Sequence, residues 1–196
     1  LSSPLIVAAM KDGITHAEYV AFLEQAYHHV KHTTPLLMAV GSRIPEKNEW
    51  LREKIAHYIE EEVGHQEWIL NDIRACGGDA EVVRHATPSL PVELMISYIW
   101  DFVSRRNPAG FFGMVYVLEG TSVNVATQAA DKIRASLSLP KNAFSYLYSH
   151  GSLDIEHIDF FESVVNKIDD KRDQDDIIHV AKIIFRLYAD MFRVIK

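Results

Sequence analysis

Apolar residues recur along nearly the whole chain at spacings of three and four, the period of a helix with one buried face, and no stretch alternates as a half-buried strand would. A short apolar segment, Leu5 to Met10, ends at Asp12-Gly13. Thr15-His16-Ala17-Glu18 then has the capping-box pattern, in which the Thr and Glu side chains satisfy free backbone donors at a helix start. The helix it opens is predicted to run from Ala17 towards Val40, with Phe22, Leu23, Tyr27 and Val30 inward and a kink near Lys31 to Thr34 forced by Pro35. After a turn from Gly41 to Pro45, one helix is expected from Glu46 to about Ala75, with Ile55, Ile59, Glu62, Ile69 and Ile73 on one face and Gly77-Gly78 stopping it. A brief helix around Ala80 to His85 follows, and Pro91 opens another that reaches about Val103.

The most apolar segment, Ala109 to about Ser136, is hydrophobic on nearly all sides and reads as a single central helix. Pro140 separates it from a helix over Lys141 to Lys167. A charged loop, Asp169 to Asp175, precedes the last helix, from Asp176 to about Val194. The prediction is an all-α bundle of seven or eight helices, formed by one domain spanning residues 1–196. At 48% hydrophobic content the chain is long enough for its own core.

Charge narrows the partners. A net charge of -7 and the lack of a Lys/Arg cluster exclude nucleic acid as the main partner, since phosphate binding needs a basic face. No apolar run approaches the roughly 18 residues of a membrane span, so no membrane partner is expected. The one cysteine, Cys76, stands where a helix should end and can form no intramolecular disulfide. With no signal-peptide layout in the first residues, this sets the expectation of a reducing, cytoplasmic location. The chain opens on Leu1 rather than Met, so residues ahead of it are expected.

The chemistry concentrates in Ser149-His150-Gly151-Ser152-Leu153-Asp154-Ile155-Glu156-His157. On a helix, positions 150, 154 and 157 fall one above another, so two imidazoles and a carboxylate share a face. An unpaired carboxylate buried there would cost several kcal/mol or take up a proton. A metal ion removes that problem, and His and Asp are donors that iron, manganese and zinc accept. Di-metal sites in helical bundles use an acid-x-x-His pair from each of two helices, with further carboxylates from others. Here Asp154-x-x-His157 is one pair and Glu62-x-x-His65 another, the latter on a stripe with Ile55, Ile59 and Ile69. Either pair alone can equally be a buried acid and imidazole bonded to each other. A third, Asp176-x-x-His179, continues through Arg186 and Arg193 and reads as a solvated face. Glu119, inside the most apolar helix, is a carboxylate that burial would leave in need of a partner. The set is then Glu62, His65, Glu119, His150, Asp154 and His157, three carboxylates and three histidines from three segments.

The order Glu-x-x-His, a lone Glu in an apolar helix, then His-x-x-x-Asp-x-x-His resembles the haem-oxygenase-like di-iron oxidases, whose superfamily includes the TenA thiaminases and the pyrroloquinoline quinone synthases. The resemblance spans most of the chain and implies a haem-oxygenase-like helical bundle, with a homodimer as an expectation from the family alone. It also implies two iron ions, or manganese, held by the six residues, with Glu119 bridging or capping, and dioxygen as cosubstrate for oxidising a small organic substrate. Tyr27, Tyr58 and Phe112 are the expected pocket residues, though Tyr27 and Tyr58 can also simply pack in the core. The resemblance further implies a labile metal centre. Gly151 and Ser152, poor helix formers beside His150, give a local reason for that segment to order on metal or substrate binding.

Four other readings compete. A non-catalytic small-molecule or partner-binding bundle would use the polar cluster only as a buried network. Haem binding would use His28, His29 or His32, but the carboxylate cluster occupies the same bundle. A cofactor-free oxidase would keep histidines without a full carboxylate set, and thiaminase chemistry would need a nucleophile that the position of Cys76 does not supply.

Overall fold

The computed structural model describes residues 3–11, 13–123 and 125–196, and the side chains of all of these except residues 152–156. The described residues form α-helices and three short 3-10 turns, with no strand. In order the helices are α1 (Pro4–Lys11), α2 (His16–Val30), α3 (Thr33–Arg43), α4 (Glu49–Glu62), α5 (His65–Ala75) and α6 (Ala80–His85). There follow α7 (Leu90–Arg105), α8 (Phe111–Ser122), α9 (Ala126–Leu137), α10 (Ser145–Val165) and α11 (Lys171–Val194).

This is more than the seven or eight expected, because three of the long predicted helices are each divided. The first breaks at Lys31-His32, inside the expected kink and just ahead of Pro35. The second breaks at Val63-Gly64, where Val63 turns extended and Gly64 takes a φ of 95°, a left-handed conformation that favours glycine. Ending α4 at Glu62 and starting α5 at His65, this break falls inside the Glu-x-x-His pair. The third separates α8 from α9, with Val125 outside helical geometry. The last helix starts earlier than expected, at Lys171, because the Asp170 side chain accepts a hydrogen bond from the Arg172 N–H at 2.9 Å and caps it.

Local signals elsewhere act as the sequence suggests. The Thr15 hydroxyl accepts from the Glu18 N–H at 3.1 Å while Glu18 accepts from the Thr15 N–H at 2.7 Å, closing the capping box of α2. Asp79 caps α6 through the Glu81 and Val82 N–H groups. The apolar stripe Ile177, Val180, Ile184, Met191 turns one face of α11 to the core.

Helix α8 packs against α11 and α10, α2 against α5, α3 against α4, α9 against α10, and α1 against α9 and α11. Nearly every α8 side chain from Phe111 to Val117 is buried, Tyr116 being the exception. Gly113 makes the α8–α11 contact possible, since a Cβ there would lie 2.3 Å from the Ile177 carbonyl oxygen and 2.7 Å from the Ala181 nitrogen. Those are main-chain atoms of a long helix and cannot step aside. Among the described residues no helix is long and apolar enough to cross a membrane.

Gly113→Ala therefore has to push two central helices apart. Urea unfolding should show a loss of about 3 kcal/mol, against the gain that alanine's better helix propensity would bring in an uncrowded helix.

Candidate metal centre

Helices α4, α8 and α10 bring Glu62, Glu119 and His157 together, all three buried, with one potential ligand atom of each within 4.8 Å of the others. His157 is the common neighbour. Its Nδ1 lies 3.6 Å from Glu62 Oε1 and 3.6 Å from Glu119 Oε1. The other oxygen of Glu62 faces His65, with Oε2 3.3 Å from the His65 Nδ1. His150 comes next, its ring meeting that of His65 edge to face at 5.3 Å between centroids. The structure thus gathers Glu62, His65, Glu119, His150 and His157 in one place, and the Asp154 side chain lies outside the described residues.

The imidazoles are held by aromatic neighbours. Trp68 stacks on His65 at 4.0 Å, Tyr58 meets His157 at 5.0 Å, and Tyr146 meets His150 at 4.6 Å. Tyr58 also lines a cavity of about 50 Å³ beside the acids, walled by Glu62, Glu119, His150 and the apolar side chains Phe111, Met114 and Leu118. Tyr27 and Phe112 are placed differently. Both are buried, Tyr27 packs against His28, and neither lines this cavity.

Electrostatics show what the cluster asks for. Burial alone would push the Glu62 carboxyl up, but the hydrogen bond and charge of His65, with His150 and His157 beyond it, hold it below the usual carboxylate value. Glu62 is also the last residue of α4, where the helix dipole opposes a negative charge. Two buried carboxylates share one imidazole nitrogen, and one imidazolium can balance only one of them. A divalent cation balances both and leaves the imidazoles as neutral donors. Donors about 2.1 Å from a shared ion stand roughly 3 Å apart when adjacent and about 4.2 Å apart when opposite, close to the spacing found here. The residues fit a metal.

One contributor was not singled out by the sequence, and a second was weighed there as a haem ligand. The Glu61 carboxylate lies 3.5 Å from His157 Nε2, on the far side of the ring from Glu62 and Glu119. It was visible only as the neighbour of Glu62, and a helix places consecutive residues about 100° apart. His29 lines the same cavity, fully buried, and neither ring nitrogen has a hydrogen-bond partner among the described residues. Burial pushes its pKa down to about 3, and that of His28, beside Lys31, to about 4, so both are neutral at pH 7. His32 accepts a hydrogen bond from the Trp100 indole at 3.2 Å. Asp176 accepts from Asn107 at 2.8 Å and His179 is exposed, so that pair lies on a hydrogen-bonded surface away from the centre.

The start of α10 is fixed from outside the helix. Asp72 of α5 is completely buried and its carboxylate accepts hydrogen bonds from the Ser145 and Tyr146 N–H groups, both at 2.9 Å, and from the Ser145 hydroxyl. This is an N-cap supplied by another helix. Tyr19 supports the same end, donating to the Ala143 carbonyl at 2.7 Å and stacking on Phe144 at 4.7 Å.

The all-α bundle has the haem-oxygenase-like fold, and solved structures bear this out. A domain of unknown function with that fold from Shewanella denitrificans is 24% identical, with a TM-score of 0.86 over 97% of this chain and 82% of that one. A TenA homologue from Pseudomonas syringae pv. tomato is 14% identical, with a TM-score of 0.75 over 97% and 84%. A haem oxygenase from Leptospira interrogans is 17% identical, with a TM-score of 0.70 over 98% and 90%. No curated protein matches the sequence. Residues 20–189 match the family described as iron-containing redox enzymes, and the chain belongs to that family.

Asp72→Ala would leave two buried N–H groups and a hydroxyl without their acceptor. A stability loss of about 2–4 kcal/mol is expected in urea unfolding, with faster hydrogen exchange of the Ser145 and Tyr146 amides than of α7 amides.

Proposed function

We propose that this protein is a non-haem di-iron oxidase or oxygenase that uses dioxygen on a small organic substrate. The observation that carries the reading is the buried group of Glu62, Glu119 and His157, whose charges a divalent cation balances. Glu62, His65, Glu119, His150, Asp154 and His157 are the proposed ligands, iron the proposed metal and manganese the alternative. The two oxygens of Glu62 face different imidazoles, so it would hold the metal alongside both His65 and His157. Two irons in such a site would supply the electrons and open positions that dioxygen chemistry needs.

The chain's own groups prepare that chemistry. The Glu61 carboxylate, 3.5 Å from His157 Nε2, would favour the tautomer that carries its proton there and turns the Nδ1 lone pair towards Glu62 and Glu119. Tyr58, Trp68 and Tyr146 lock the imidazole planes. Phe111, Met114, Val115 and Leu118 line the adjoining cavity, keep water sparse and lower the local dielectric, so that the carboxylates bind a cation more strongly.

Anaerobic loading with ferrous iron, followed by metal analysis and a visible spectrum after exposure to oxygen, tests the proposal. The wild type should take up about two irons per chain and show an oxygen-dependent band. His157→Ala and Glu119→Ala should lose both. No iron uptake by folded wild type would leave the cluster a buried polar network and the protein a binding bundle. Glu61→Ala keeps every proposed ligand, and its iron affinity should fall about 10–100-fold, the usual effect of removing a group that orients a metal-bound imidazole.

A further inference from the structure

A second, larger cavity adjoins the metal centre. It measures about 200 Å³, and its wall shares Ser122, Tyr146, His150 and Tyr188 with the small cavity beside the acids. His150, a proposed metal ligand, therefore stands between the two. The rest of the chamber is built from the sides of α1, α2, α9 and α11, with Leu5, Phe22, Ile133, Phe185 and Phe192 among its walls.

Three of its polar wall groups are turned to other tasks, and the buried Ser3 hydroxyl, which has no hydrogen-bond partner among the described residues, is a neutral one. The Thr121 hydroxyl donates to the Val117 carbonyl at 2.7 Å, the Ser122 hydroxyl to the Glu119 carbonyl at 3.0 Å, and Arg193 pairs with Asp190 at 2.5 Å. The described wall thus offers no unpaired charge to meet an ionised ligand, and an ion moved into it would lose its hydration without compensation. Aromatic rings dominate one side. Phe22 stacks on Phe192 at 5.9 Å, and Phe192 meets Tyr188 edge to face at 5.0 Å. Such a wall favours another ring, through offset stacking and edge contacts, beyond what apolar area alone provides. Size sets the other limit. A dry cavity of about 150 Å³ admits benzene, so this one has room for a ring system of roughly six to ten carbons.

We infer that this chamber is the substrate site and that the substrate is a small neutral aromatic compound of one or two rings, seated with its oxidisable edge towards His150. The substrate role rests on the di-iron reading. The chamber's choice of ligand does not, because among the described residues no proposed metal ligand other than His150 lies in its wall.

The test uses the full chain without added iron and indole as the probe, in isothermal titration calorimetry. Ala129 lines the chamber away from the metal ligands, and Ala129→Trp fills it. Saturable 1:1 binding of indole, weakened at least tenfold in Ala129→Trp, with 1-octanol at least fivefold weaker than indole, is the expected result. Met10→Trp, filling from the facing α1 wall, repeats the measurement if Ala129→Trp does not fold. Absence of saturable binding, or binding indifferent to both fillings, would overturn the chamber as a site. Octanol binding as tightly as indole would overturn the aromatic assignment. Iron uptake, measured separately on the same proteins, should be unchanged by either filling, so loss of the di-iron reading and loss of this one give different results.

Discussion

Two buried carboxylates meet at one imidazole nitrogen, and much of this molecule is arranged to impose that meeting. Glu62 and Glu119 both stand 3.6 Å from His157 Nδ1, inside a bundle whose neighbouring side chains are Phe111, Met114 and Leu118. Left to itself the cluster would relax by moving a helix, admitting water or taking up a proton. The three helices that carry it are each prevented from moving. Gly113 lets α8 lie against the main chain of α11, Asp72 grips the first turn of α10, and the short Val63-Gly64 connection ties the end of α4 to α5. The bundle's packing energy thus holds in place a buried acid cluster that a cation would stabilise.

The Asp72 cap shows how such rigidity is distributed. A helix normally caps itself, but Phe144, at the cap position of α10, has no side-chain oxygen to do so. The missing acceptor comes from a residue 73 positions earlier, on α5, the helix that begins with His65. One carboxylate therefore fixes the distance between the two helices whose imidazoles, His65 and His150, meet at 5.3 Å. Burial pushes the Asp72 carboxyl above its ordinary value, and the hydrogen bonds from Ser145 and Tyr146 pull it part of the way back. The cap thus uses a group that burial makes costly to ionise, in exchange for a fixed helix start.

Most of the fold was legible because its signals are local or periodic. Capping by Thr15 and Glu18, the stops at Gly77-Gly78 and Pro140, and the apolar stripe of α11 each depend on a few neighbouring residues. The candidate ligands were legible for a different reason, that Glu62, Glu119 and His157 sit among apolar residues where an unpartnered polar group is costly. Helix division was less visible. Periodicity runs through Val63-Gly64 without interruption, and only the left-handed φ at Gly64, a property of the folded chain, marks the break. The chamber was not legible at all, since Phe22, Ile133 and Phe192 come from three helices whose contact is tertiary. Gly151 reads differently in sequence and structure. By propensity it is a weak point in α10, yet a Cβ there would lie 2.0 Å from the Thr127 hydroxyl, so the glycine also lets α10 and α9 approach.

The break inside the Glu-x-x-His pair changes what that spacing means. On one continuous helix, Glu62 and His65 would project from a shared face, and Glu61 would point well away from both. Ending α4 at Glu62 frees its terminal turn to present consecutive residues to opposite sides of a single ring, Glu61 at Nε2 and Glu62 at Nδ1 of His157. Left-handed Gly64 then turns the chain so that His65, opening α5, comes back to the second oxygen of Glu62. One dipeptide thus surrounds an imidazole and the next turn closes on the same carboxylate. The acid-x-x-His spacing is preserved here by a helix boundary rather than by a helix, and that boundary is what lets one short stretch supply two carboxylates to His157 and an imidazole to one of them.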